Sequence, residues 1–144
     1  MPSSTSRKTR RVPSRARARH EIAADGLAET GAIFDPVHRS LDLIGDRWTL
    51  LVIRDLFAGR RRYGEFQASA EGIPTNILAD RLARLVRAGL VERTPYQKHP
   101  PRHDYRLTAA GEELRPVLGA LAGWGLRHVP GSRAAPAVAS ALRG

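Results

Sequence analysis

The sequence contains no cysteine. That excludes disulfides, thiolate zinc sites and thiol redox sensing together, and it suggests a reducing compartment. No uncharged apolar run approaches the roughly 20 residues that a membrane span needs, so no membrane partner is expected. The basic N-terminus is not followed by an apolar core segment, so a secretory signal is not expected there, and an organelle transit peptide would need an apolar face that the segment lacks. There is no readable nucleophile–base motif, phosphate loop or cofactor fingerprint, which argues against an enzyme and against a cofactor. The histidines at 20, 38, 99, 103 and 128 are scattered and form no helical H-x-x-x-H. Only His99 and His103 bracket one turn, and without a third ligand no metal is expected.

Acid is also missing from the start of the chain. Residues 1–20 carry Arg7, Lys8, Arg10, Arg11, Arg15, Arg17 and Arg19 and no Asp or Glu. The formal charge is +10 from 24 basic and 14 acidic groups, so residues 21–144 hold 17 basic against 14 acidic ones, a net of +3. A near-neutral domain thus follows a very basic tail. Such a tail either meets a polyanion or serves as a solubilising extension.

The 144 residues leave room for one modest domain, and 42% apolar against 26% charged residues suits a soluble globule. Residues 1–30 are expected to be a disordered tail with a weak helical arm within 21–33. The domain is expected over 31–129 and a loose tail over 130–144. No internal repeat is present.

Within the domain, Asp35 suits an N-cap and Pro36 the first helical position. Val37, Leu41 and Ile44 recur at helical spacing, Gly45 stops that helix, and Asp46 can cap the next. Residues 47–57 are apolar nearly all round, which predicts the buried centre of a small domain, with Trp48 as a core residue. Tyr63–Ala70 reads as a short helix. "EGIP" is a tight turn, with Pro74 starting a fourth helix over about 75–88. Leu78, Leu82 and Leu85 line one face of it, and Asn76, Asp80, Ala83 and Arg87 lie roughly opposite. "LVERTPY" and "DYRLT" read as strands around the stiff turn "QKHPPRH". Thr108 can cap a last helix to about His128. Pro116 inside it predicts a kink or break, since an interior proline costs on the order of 3 kcal/mol. Val117, Leu118, Leu121 and Trp124 follow as an apolar stripe.

The fold class is therefore mainly α with a small β-hairpin wing. A short helix joined by a tight turn to a longer one, followed by a hairpin with a basic tip, is a winged helix-turn-helix. The outer face of the second of those helices must fit a major groove, and cations must meet phosphates on either side. Thr75 and Asn76 at its start are the expected base contacts. Arg84 and Arg87 are expected on phosphate. Asp80 either accepts from a cytosine amino group or orients Arg84 at i, i+4; the second reading is preferred. Arg81 sits nearer the core edge and counts among the backbone or groove contacts. Arg60, Arg61, Arg62 and Tyr63 stand at the start of the short helix, whose amides favour an anion. Lys98, His99 and Arg102 ride on the wing and either reach DNA or are ordinary hairpin-tip charge.

From residue 35 to about 125 the chain resembles the HxlR family of winged-helix transcription regulators, relatives of the MarR type. The matching stretches are "PVHRSLDLIGDRWTLLVIRDLFAG", "RRYGEFQ", "GIPTNILADRLARLVRAGLVER", "PPRHDYRLTAAG" and "GALAGWG". The resemblance implies a cytoplasmic prokaryotic regulator that binds double-stranded DNA at a palindromic operator as a homodimer. It places Val37, Leu41, Val117, Leu118, Leu121 and Trp124 at the dimer interface, and repression is the expected sign. Family members commonly begin the domain with Cys-Pro-Val. Here Asp35 precedes Pro36-Val37, so thiol sensing does not carry over, and a small-molecule effector stays open. Two other readings stand beside this one: nonspecific nucleic-acid packaging through the Arg-rich tail, and a winged helix used for protein contact.

Overall fold

The computed structural model describes residues 34–143. The basic tail expected over 1–30 and the helical arm within 21–33 lie outside the described residues. The element order is α1 (Pro36–Ile44), α2 (Arg47–Phe57), α3 (Tyr63–Gln67), α4 (Thr75–Arg87), β1 (Val91–Lys98), β2 (Pro101–Leu107), α5 (Ala109–Glu112), α6 (Arg115–His128) and α7 (Pro136–Leu142). No helix among the described residues is long and apolar enough to cross a membrane.

The helix boundaries follow from local chemistry. Asp35 caps α1 by accepting from the His38 amide at 2.8 Å, and Pro36 occupies the first turn, where its missing N–H costs nothing. Asp46 caps α2 by accepting from the Thr49 amide at 3.1 Å. Gly45 separates the two helices because a Cβ there would stand 2.3 Å from the Leu41 carbonyl oxygen. Gly72, at φ 62, makes the turn between α3 and α4.

The core forms around α2. Val52, Ile53 and Leu56 meet Phe66 of α3, Leu78, Leu82 and Leu85 of α4, and Leu90, Val91 and Tyr105 at the foot of the wing. Each fully buried leucine contributes about 2 kcal/mol. Trp48, expected in the core, packs against this cluster but stays half-buried at its edge.

The wing is an antiparallel pair running from Val91↔Leu107 to Lys98↔Pro101, with its register shifted between Pro95 and Gln97. Its strands are longer than the pattern of residues suggests, reaching the tip at Lys98 and Pro101. The backbone amide of Tyr105 donates to the Arg61 carbonyl at 2.8 Å, which ties β2 to the loop before α3.

Two expectations near the C-terminus resolve in different ways. The chain does break at the proline: α5 ends at Glu112, and Pro116 falls in the first turn of α6. The loose tail expected over 130–144 is not what the described residues show. Residues 136–142 form α7, Leu142 packs on the core, and the Arg115 guanidinium donates to the Ala141 carbonyl. The segment is rich in alanine and carries no charged face, so its periodicity does not announce a helix; docking supplies the stability.

Candidate nucleic-acid interface

The helix α3, the turn at Gly72 and the helix α4 form the helix-turn-helix. The turn is held by a carboxylate–guanidinium set beneath it. Arg54 of α2 grips Glu71 through both terminal nitrogens, at 2.6 and 3.0 Å. That bond holds the Glu71 carboxyl well below its ordinary value, at about 2, and pushes the Arg54 guanidinium up. Buried Asp55 accepts from Arg54 at 2.9 Å and from the Ser69 hydroxyl. The C-terminal end of α3 and the turn that follows it are thereby tied to α2.

Helix α4 presents its outer face to solvent. Thr75 and Asn76 are exposed at its start. Pro74 precedes them without any side-chain cap, and no acid stands in the first turn. The first amides of a 13-residue helix are therefore open to an anion. Gln67 of α3 donates to the Thr75 hydroxyl at 3.1 Å, bridging the two helices at the surface. Sequence reasoning misses Gln67; its position at the exposed end of the short helix, facing the start of the next, is the signal that points to it.

Asp80 takes the orienting role. It lies 2.9 Å from Arg84 Nε at i, i+4 and 2.5 Å from Arg81. Arg84 stays 59% exposed in its side chain, so its charge still faces outward. Arg87 is exposed as well.

Arg81 is a correction. Its Nε donates to Asp46 at 2.9 Å, and its side chain is only 19% exposed. It braces α4 against the start of α2 instead of reaching outward. Burial alone would raise the Asp46 carboxyl, but the hydrogen bonds from Thr49 and Arg81 bring it below its ordinary value.

The arginine run divides in the same way. Arg60 donates to the Glu65 carbonyl at 2.9 Å, to the Ser69 hydroxyl and to Asp55. Arg61 donates at 2.9 Å to the carbonyls of both Leu56 and Arg60. Both are committed to the protein, because the loop they occupy passes over the carbonyl end of α2 and the buried Asp55. Neither stands as the open phosphate clamp that the run suggests. Arg62 points to the wing. It donates to Asp104 at 2.9 Å, which raises its guanidinium, and it stacks 3.7 Å from the Tyr96 ring centroid. Tyr63 is half-buried, and burial pushes its phenol up, so it remains a neutral donor.

Between α3 and the wing lies a cleft of about 540 Å³ lined by Tyr63, Tyr96, Tyr105, Arg62 and Arg102. Lys98, His99 and Arg102 are exposed at the wing tip, and Arg93 and Arg106 are exposed along its strands. The last two are further cations that sequence reasoning passes over. Asn76, Arg84 and Arg87 thus share the outer side of α4, Thr75 stands exposed at its first turn, and the wing carries exposed cations of its own.

The residues placed at a subunit interface also divide. Val37 (66% exposed), Leu41 (57%), Val117 (48%), Leu121 (54%) and Trp124 (54%) stand open to solvent on α1 and α6. Leu118 does not. At 4% exposure it belongs to the core of its own chain, because it falls on the inward side of α6.

A family model described as HxlR-like helix-turn-helix matches residues 43–133. An uncharacterized HTH-type transcriptional regulator of Mycobacterium tuberculosis is 45% identical over 96 residues, which cover 67% of this chain and 60% of that protein. The chain therefore spans about three-fifths of the length of the mycobacterial relative. A regulator similarly described from Synechocystis is 42% identical over 98 residues, covering 68% of this chain and 72% of the relative. Among solved structures, the redox regulator HypR in its reduced form superposes with a TM-score of 0.62 at 30% identity, covering 67% of this chain and 95% of HypR.

Proposed function

The chain belongs to the HxlR-like helix-turn-helix family, and from that premise we propose that it is a sequence-specific DNA-binding transcription regulator, acting as a homodimer on a palindromic operator. The observation that carries this reading is the outer face of α4. Exposed Thr75 and Asn76 stand at an uncapped helix start, with Arg84 and Arg87 further along the same helix. An asparagine can pair bidentately with adenine, and the amides at the helix start favour phosphate. Lys98, His99 and Arg102 on the wing hold the backbone. Arg60, Arg61, Arg62 and Arg81 act by shaping the platform.

Two copies meet through the exposed apolar side chains of α1 and α6. Val37, Leu41, Val117, Leu121 and Trp124 are large apolar side chains exposed on these two helices, and apolar surface of this kind serves association where it is contiguous. Two-fold pairing there sets the two α4 helices about 34–36 Å apart, as half-sites one turn apart require. Occupancy of the operator represses transcription. A cytoplasmic location follows from this function.

The test is a titration of purified protein against duplex from its own upstream region, duplex selected from a random library and scrambled duplex. It is run at two salt concentrations, with and without residues 1–30. A preference of about 10³-fold or more for one sequence, kept after truncation, supports the regulator. Equal and salt-fragile binding that vanishes with the tail supports packaging instead. No binding to any duplex, with the fold intact, supports a protein-contact module.

A further inference from the structure

On the side of α2 toward α6 and α7 lies a second cleft, of about 500 Å³. Its floor is charged and its walls are apolar. Arg54, Asp55, Arg60 and Glu71 form the floor and are paired with one another. Ala134, Ala135, Ala137 and Val138 of the C-terminal segment line it together with Ala122 and Leu126 of α6, and Leu126 is 50% exposed. Arg133 stands on the rim, exposed and without an ion pair among the described residues. Among the described residues, the charged groups lining the cleft therefore leave one positive charge uncompensated. The volume is that of a pocket for a small organic molecule.

We propose that this cleft binds a small monocarboxylate with an apolar body, its carboxylate on Arg133 and its body between α6 and α7. The pairing on the floor leaves no second cation for a dianion. The uncompensated charge repels an amine. Only the wall from α7 lies beyond residue 133, where the family match ends. The floor also holds the helix-turn-helix: Arg60 grips the Glu65 carbonyl and Ser69, and Arg54 grips Glu71. An occupant resting on those groups bears on α3 and on the turn that follows it, and so changes duplex affinity. That last consequence rests on the DNA-binding reading; occupancy of the cleft does not.

The experiment uses the full chain and two probes, 3-phenylpropionate and its neutral amide 3-phenylpropanamide. Binding is followed by calorimetry and by amide chemical-shift mapping. The carboxylate should bind saturably, about tenfold more tightly than the amide, through one charge-assisted contact. Its shifts should cluster at residues 122–138 and at 54–71. Arg133→Gln should abolish the preference while leaving amide binding unchanged. Ala134→Trp should block both probes, with folding of each variant checked by thermal melting. Equal affinity for the two probes, no saturation by either, or shifts confined to the exposed α1 and α6 faces would overturn the proposal. Saturable binding by a protein that binds no duplex would keep this site and reject the DNA-binding reading.

Discussion

The Nε of Arg81 on α4 lies 2.9 Å from Oδ1 of Asp46, the residue that caps α2. One carboxylate therefore fixes both the start of the central helix and the rotation of the outer one. Arg81 also reaches Asp80, and Asp80 reaches Arg84 at 2.9 Å. The chain of contacts runs from the core-side cap to a side chain on the exposed face. It restricts the rotamers of Arg84 before any partner arrives, so less conformational entropy is lost on binding.

Replacing Arg81 by alanine should lower stability by about 1 kcal/mol, the worth of a partly exposed charged pair. Duplex affinity should fall as α4 loses its brace. The slope of log affinity against log salt should stay unchanged, because no phosphate contact is removed. A slope smaller by about one unit would instead return Arg81 to the backbone contacts.

Asn76→Ala and Lys98→Ala should differ in kind. The first should relax discrimination at one base pair by about 1–3 kcal/mol. The second should weaken all sequences alike and reduce the salt slope by about one. Competition binding with a set of single-base variants of a selected duplex separates the two. Equal loss of specificity from both substitutions would reject the division of roles.

Neighbouring positions on α6 should give opposite phenotypes. Leu118→Ala opens a cavity beside the core and should cost about 2–5 kcal/mol of unfolding free energy. Leu121→Glu, on the open face, should leave a folded chain and separate the proposed dimer. Sedimentation and chemical denaturation read the two outcomes independently. A dimer that persists in Leu121→Glu would move the interface elsewhere.

Acid should loosen the turn beneath α4. The folded Glu71 carboxyl titrates at about 2 against an ordinary 4.5, because Arg54 holds its charged form. The unfolded chain takes up this proton first. The stabilisation is therefore complete above pH 4.5 and declines as pH falls from 4.5 toward 2. After allowance for solvent screening it amounts to about 1–2 kcal/mol. Glu71→Gln should remove that part of the pH dependence and cost the same amount at neutral pH. Urea unfolding of both proteins between pH 2 and 7 checks it, and parallel pH profiles would contradict the assignment.

The order of the elements through α6, the caps at Asp35 and Asp46, the leucine stripe of α4 and the break near Pro116 could all be read from the sequence. Each depends on residues a few positions apart, so spacing and side-chain chemistry are enough to specify it. The exposed face of α4 is legible for the same reason: once Leu78, Leu82 and Leu85 turn inward, helical geometry turns Asn76 and Arg87 out.

What each arginine does was decided only in three dimensions. Arg62 meets Asp104 across 42 positions of chain, and Arg81 meets Asp46 across 35. A run of three arginines has no local property that sends two inward and one to the wing; the buried carboxylate of Asp55 and the carbonyl end of α2 do that. Leu118 and Leu121 have the same side chain on the same helix. Only packing of α6 on the core makes one of them interior and leaves the other exposed. The helix α7 likewise exists where it docks, because a short alanine-rich segment is too weak a helix to stand alone.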